Sequence, residues 1–312
     1  MARRRRGLPV NGVLLLDKPK GLSSNHALQR VRRLFEAQKA GHTGTLDPMA
    51  TGLLPICLGE ATKFSAHLLD ADKVYRTRVE LGVITASGDA EGDVLERREV
   101  PMLETVDIES VLERFRGEIE QIPPMYSALK HQGRKLYELA REGKTVERAA
   151  RRVSVYDARL LSVHGTSFEL EISCSKGTYI RTLAEDIGQA LGCGAHISAL
   201  RRLKTGPFTS EDMWTLEALE ALADQSAREA QLLPVDALVE HLPVLPVDAE
   251  AAGRLTHGQS VQLEHGMQLD SAAHSVGELT RLYHQAAFLG LGVVKSAAEV
   301  APKRLVNTAA VS

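Results

Sequence analysis

GHTGTLDPMATG, residues 41–52, is the stretch on which the reading of this chain turns. Asp47 stands in it with no other acid within ten residues on either side. Such a carboxylate can share neither a proton nor a divalent metal with a sequence neighbour. Gly41, Gly44 and Gly52 permit backbone conformations closed to other residues, and Pro48 fixes the chain just past the acid. The pattern presents a lone carboxylate on a tight turn, which suits a nucleophile or a base working without metal. It equally fits an acid that only caps the turn or a following helix, the commoner use of Asp in such a setting.

Around this turn the hydrophobic periodicity is mixed. Residues 10–16 (VNGVLLL) read as a buried strand, and 24–38 as a helix with Ser23 or Ser24 as its N-cap. Residues 74–83 and 168–174 alternate as half-buried strands, with Tyr75, Thr77, Val79 and Leu81 on one face of the first. A helix is expected over 103–116, another from about Tyr179, and an Ala-rich one over 212–230. Pro234, Pro243 and Pro246 mark a linker, followed by short strand-like pieces with Gly punctuation. Strands interspersed with helices in this way predict an α+β fold. The expected division is 1–245 and a small β-rich domain over 246–312.

With 312 residues, 44% of them apolar, the chain can bury a sizeable core. The three cysteines, Cys57, Cys174 and Cys193, lack metal-ligand or redox spacing and read as buried free thiols. No apolar run approaches the roughly 20 residues of a membrane span. No membrane association is therefore expected, and the cytoplasm is the default location. The net charge of −2 hides an asymmetry: residues 1–204 carry 32 Lys+Arg against 26 Asp+Glu, and residues 205–312 carry 6 against 14. The cations clump at Arg3–Arg6, at Arg30–Lys39, over 130–152 and at Arg201–Lys204. Separate clumps of one sign can converge into a phosphate-binding surface, although most charge runs are only solvated faces.

Read as a longer block, GHTGTLDPMATGLLPICLGEATKF (41–64) resembles the signature of the TruB family of tRNA pseudouridine synthases. The resemblance continues through LLLDKPKGLSSN (14–25), DKVYRTRVELGVITASGDAEG (72–92), IPPMYSALKHQGRKLYELAREG (122–143), SKGTYIRTLAEDIG (175–188) and ALRRLKTGPF (199–208). It implies isomerisation of a uridine in the T-arm of tRNA, position 55 in tRNA numbering. It also implies the pseudouridine synthase fold, a largely antiparallel sheet with flanking helices, followed by a PUA-like tail. The reaction so implied needs no cofactor and no metal, because the substrate supplies both bonds.

The resemblance assigns roles residue by residue. Asp47 is the nucleophile, and Arg181 pairs with it. Tyr75 stacks on the target base and counts with these two as catalytic; by pattern alone it is a core tyrosine. Tyr179 and Leu200 line the uracil pocket, and His42 enters the T-loop. Residues 122–152 resemble a basic RNA-clasping insertion, in which Lys130, Arg134, Lys135, Arg141, Lys144, Arg151 and Arg152 are candidate phosphate contacts. Lys18 and Lys20 are further candidates. The partner implied is the tRNA T-arm, and a monomer is the default.

Competing readings fail at specific residues or stay open. GKT at 143–145 is no phosphate loop, since Glu138 stands where the first glycine belongs. No H-E-x-x-H or paired Cys/His spacing supports zinc. A non-catalytic RNA-binding or tRNA-folding protein, and a guide-RNA-dependent synthase, remain as alternatives. Because the nucleophile and nearly every basic cluster precede residue 205, a chain ending near 246 is expected to keep catalysis on a T-arm stem-loop.

Overall fold

The computed structural model describes residues 7–263 and 275–307; the Arg3–Arg6 run lies outside them. Among the described residues one nine-stranded sheet dominates. Its strands are β1 (Gly12–Lys18), β2 (Ala40–His42), β3 (Thr51–Leu58), β4 (Lys73–Leu81), β5 (Gly117–Gln121), β6 (Arg151–His164), β7 (Ser167–Cys174), β8 (Ala195–Thr205) and β9 (Phe208–Thr209). The path runs β1-β3-β8-β4-β7-β6-β5, with β2 paired to β3 and β9 to β8. All these pairings are antiparallel except β3–β8. The fold is α+β, as the mixed periodicity implies.

The two halves of the sheet are buried differently, and the sequence shows why. Along β1, Leu14 and Leu16 enter one apolar cluster while Val13 and Leu15 enter a second on the opposite face. Strand β3 divides likewise, which explains their continuous apolar runs. Strands β4 and β7 have one buried face, so they alternate: Thr77, Val79 and Leu81 are buried, and Arg76, Arg78 and Glu80 are not. Helix α1 (Ser24–Leu34) starts where Ser23 accepts a hydrogen bond from the His26 amide at 3.2 Å, and buries Ala27, Leu28 and Val31. It ends earlier than expected, because Glu36 takes a left-handed conformation (φ 49°). Helix α2 spans Thr105–Glu113 and α3 spans Ile180–Ala190.

The Ala-rich segment 212–230 is not one helix. It forms Leu216–Glu220 and Gln225–Glu229, each started by its own cap, Thr215 and Asp224. The break lets the segment run along the free edge of β1, where the Asp17 amide reaches the Trp214 carbonyl (2.9 Å) and the Val13 amide that of Leu233 (3.0 Å). An otherwise open sheet edge is thereby covered.

A five-stranded sheet follows, built from β10 (Val244–Pro246), β11 (Val261–Gln262), β12 (Leu279–His284), β13 (Ala287–Ser296) and β14 (Glu299–Leu305). It is not a loose appendage. Phe288, Leu291 and Val306 share one cluster with Val13, Leu15, Leu53, Phe64 and Phe208 of the main sheet. The Phe64 and Phe288 rings meet at 5.4 Å, and the Lys63 ammonium donates to the Leu305 carbonyl at 2.9 Å. Arg281 pairs with Asp236 across the linker at 2.9 Å. A chain cut near 246 would bare this shared core.

Candidate active site

The turn between β2 and β3 carries Asp47, and its backbone is held on both sides. The Ser24 hydroxyl donates to the Leu46 carbonyl (3.0 Å) and accepts from the Leu46 amide (2.7 Å). The Gly21 amide donates to the Pro48 carbonyl at 2.7 Å. Gly44 (φ 117°) and Gly52 (φ 97°) take conformations open to glycine, and a Cβ on Gly52 would strike the Arg202 carbonyl oxygen. Gly44 and Gly52 therefore serve the turn and the close approach of β8, whereas Gly41, in β2, has no such conformation and meets only the Thr62 methyl at 3.8 Å.

Arg181, in the first turn of α3, meets Asp47 with Nε 3.0 Å from Oδ2. Its other nitrogens donate to the carbonyls of Ser87 and Tyr126, both at 2.6 Å. Nη1 also faces Oδ2 of the buried Asp89 at 3.6 Å. Asp89 is fixed in turn by the Ser87 hydroxyl (2.6 Å) and the Glu91 amide (3.0 Å). Arg181 thus lies between two carboxylates with its fork locked by backbone. Withdrawal from water pushes the Asp47 carboxyl above the usual carboxylate range, and the Arg181 charge opposes that rise. Asp89 was not singled out from sequence; in a Gly- and Asp-rich turn its pattern is that of an ordinary turn acid.

The remaining candidates distribute unevenly. Tyr75 and Leu200 lie on neighbouring strands, β4 and β8, whose register pairs Tyr75 with Arg202 and Leu200 with Thr77. Burial raises the Tyr75 phenol pKa, and the Arg202 charge pulls it back. Tyr179 caps α3, and its amide and carbonyl are both bound by the Gln121 side chain, at 3.0 and 3.2 Å. His42 is half-buried at the end of β2. Burial and then the Arg202 charge push its pKa down, so the imidazole is neutral at neutral pH.

Lys18 does not fit a phosphate contact. It is fully buried, and its ammonium donates to the carbonyls of Pro19 (3.0 Å), Leu22 (2.6 Å) and Pro48 (3.4 Å). Desolvation lowers its pKa to about 8. It ties the loop after β1 to the residue following Asp47. Arg151 lies over the Tyr179 ring, 4.9 Å from its centroid, and donates to the Gly177 carbonyl. Lys20, Lys130, Arg134, Arg141, Lys144 and Arg152 are exposed, and Lys135 is half-buried. Among the described residues, no group of three His, Cys, Asp or Glu side chains could hold a metal. No helix among them is long and apolar enough to cross a membrane.

Fold and site together define a pseudouridine synthase. Family models match most of the described chain: "TruB family pseudouridylate synthase (N terminal domain)" over residues 32–180, "tRNA pseudouridylate synthase B C-terminal domain" over 181–240, and "Pseudouridine synthase II TruB, C-terminal" over 243–306. The chain is 66% identical over 312 residues to the tRNA pseudouridine synthase B of Chromohalobacter salexigens, covering 100% of this chain and 99% of that protein. It is 52% identical over 298 residues to that of Chromobacterium violaceum, covering 95% and 94%. Among solved structures, a Cbf5-Nop10-Gar1 complex contains a chain similar over 98% of this one and 91% of its own length, with TM-score 0.70 and 26% identity. The chain belongs to the TruB family of tRNA pseudouridine synthases and is an isomerase.

Proposed function

We propose that this isomerase converts the uridine at position 55, in the T-loop of tRNA, to pseudouridine, with Asp47 as nucleophile. The observation that carries the reading is the Asp47–Arg181 contact, in which the guanidinium is 4% exposed and the carboxylate 35% exposed. A carboxylate anchored from behind and open in front is placed to attack a group delivered from solvent. Burial makes it more basic, while Arg181 opposes protonation and aims it. The target uridine must leave the RNA stack before any side chain can reach it. In this reading neutral His42 holds the vacated space, Tyr75 stacks on the extruded base, and Tyr179 and Leu200 wall the pocket.

Whichever carbon Asp47 attacks, C1′ or C6, the bookkeeping closes. Asp47 bonds to that carbon, the C1′–N1 bond breaks, the uracil turns in place, C5 bonds to C1′, the bond to Asp47 breaks again to free the carboxylate, and the C5 proton is lost while N1 gains one. Uridine and product are isomers, so no external oxidant or reductant enters. Exposed Lys20, Lys130, Arg134, Arg141 and Arg152, with half-buried Lys135, grip the RNA backbone. Residues 246–312 act as a PUA-like domain that adds affinity for full-length tRNA, and the work is done in the cytoplasm.

Activity of the purified protein alone on an unmodified T-arm stem-loop tests the reading. Pseudouridine at the position equivalent to 55, absent with Asp47→Asn, is the expected result. A requirement for an added guide RNA would favour the second reading, a guide-RNA-dependent synthase. Binding without turnover would leave an RNA-folding protein.

A further inference from the structure

Arg202 is the largest fully buried side chain among the described residues, at 1% exposure. Its neighbour Arg201, on the other face of β8, grips Asp17 through both nitrogens at 3.0 and 2.7 Å. Arg202 makes no ion pair among the described residues. A buried guanidinium without a counter-ion is costly to keep, and such groups concentrate at functional sites.

Its surroundings say what it acts on. Nε donates to the Leu53 carbonyl at 2.7 Å, and Nη2 lies 3.5 Å from the Gly44 carbonyl. Gly44 opens the turn that carries Asp47, and Leu53 follows it on β3. Alternate residues share a face of a strand, so Arg202 looks the same way as Leu200. Tyr75 is its register partner on β4, so the two side chains leave neighbouring strands side by side, and the guanidinium charge acts on the Tyr75 phenol. One side chain therefore reaches the Asp47 turn and the strand after it, and stands beside Tyr75 in the strand register.

We propose that Arg202 is a positioning residue for Tyr75, holding the phenol oxygen against the Asp47 turn and setting a positive charge behind the base. This rests on the reading of Asp47 and Tyr75 given above. A phenol oxygen that accepts from a cation turns its own proton outward, toward the pocket. When the C1′–N1 bond breaks, its electron pair stays on the uracil and spreads over O2 and O4. A fixed cation behind the ring stabilises that charge without reorganising. Arg202 itself, sealed from solvent, touches no substrate.

The test is a double-mutant cycle of Arg202→Met and Tyr75→Phe, read as single-turnover rate and tRNA affinity, with Arg202→Lys alongside. Arg202→Met lowers the rate by about 10- to 100-fold, within the range of a well-placed polar catalytic group, and leaves affinity unchanged. Arg202→Lys recovers most of the rate, because the charge is retained. In the Tyr75→Phe background Arg202→Met costs less than about threefold, since its target is gone. Independent, multiplying losses would overturn the proposal while leaving the reading of Tyr75 intact, as would wild-type turnover in Arg202→Met. Wild-type turnover in Tyr75→Phe would instead sink the reading of Tyr75, and the proposal with it. If Arg202→Met does not fold, the cycle runs with Arg202→Lys, whose smaller loss must likewise vanish beside Tyr75→Phe.

Discussion

The cations of the candidate active site and those of the 122–152 insertion are the same residue types in opposite circumstances. Lys18, Arg181 and Arg202 are buried, and backbone carbonyls fix each of their heads. Lys130, Arg134, Arg141, Lys144 and Arg152 stand in solvent, and where they pair it is with a near neighbour, as Arg134 and Lys144 do with Glu142. Such exposed pairs contribute little to stability and are easily exchanged for phosphate. A buried cation shapes a field; an exposed one supplies grip. Sequence shows the charge of both and the setting of neither.

The comparison breaks at once if the site does not depend on its one open carboxylate. Asp47→Asn should lose turnover by at least about 10⁴-fold, the scale of removing a nucleophile, while still folding and binding tRNA. Release of tritium from C5-labelled uridine in RNA measures this, once deamidation back to Asp is excluded.

Arg181 and the insertion should then separate rate from grip. Arg181→Met is expected to lower kcat by about 10²- to 10³-fold, the cost of removing a fixed electrostatic group, with no change in the salt dependence of tRNA binding. Combined Arg134→Gln, Arg141→Gln and Arg152→Gln should do the reverse, reducing the salt slope by about two to three units and sparing kcat at saturating tRNA. A salt slope that falls in Arg181→Met would make that residue a phosphate contact. The pH profile sharpens the point. As the proposed nucleophile Asp47 must be ionised, so turnover is expected to fall as pH drops through its raised pKa. Arg181 lowers that pKa, so Arg181→Met should move the acid limb to higher pH.

Two smaller effects concern the packing that frames these regions. Phe288→Ala, at the seam of the two sheets, should cost about 3 kcal/mol of stability, as large-to-small core changes do, and leave kcat of the folded fraction intact. Denaturant unfolding and active-site titration check both. Glu185, half-buried one turn from Arg181, has its pKa raised to about 7, chiefly by desolvation. The folded protein therefore holds this proton more tightly than the unfolded chain does. The stability it contributes is full below the unfolded pKa of 4.5 and is lost as pH rises through about 7. Glu185→Gln should accordingly gain about 1 kcal/mol at pH 8 and nothing at pH 4, a figure discounted for partial exposure.

Much of this molecule was legible because one-faced elements print their periodicity. Helix α1, strands β4 and β7 and the glycine turn at 41–52 all follow from local pattern. The two-part Ala-rich segment was misread because composition spoke for one helix while Thr215 and Asp224 each offered a start. Lys18 was misread because lysine carries a strong prior for solvent, which three carbonyls overrule. Asp89, Gln121 and Arg202 were missed for a common reason. Their meaning depends on partners 50 or more residues away, such as Tyr179 for Gln121 and Leu53 for Arg202. No local pattern reports such a pairing.

The placement of β8 also has a consequence for the order of events during synthesis. This strand, residues 195–205, is the one that joins β3 to β4. While the chain emerges, the β1–β3 pair and the β4–β7 pair can each form, but each ends in a bare edge with nothing between them. Closing a gap spanned by well over a hundred residues is slow, and unpaired edges invite association with other chains. Until β8 slots in, Asp47 and Tyr75 belong to separate pieces of protein. A ribosome-bound fragment ending before residue 195 therefore carries the Asp47 turn with no pocket beside it, and the open edges of β3 and β4 are where a holding chaperone would bind.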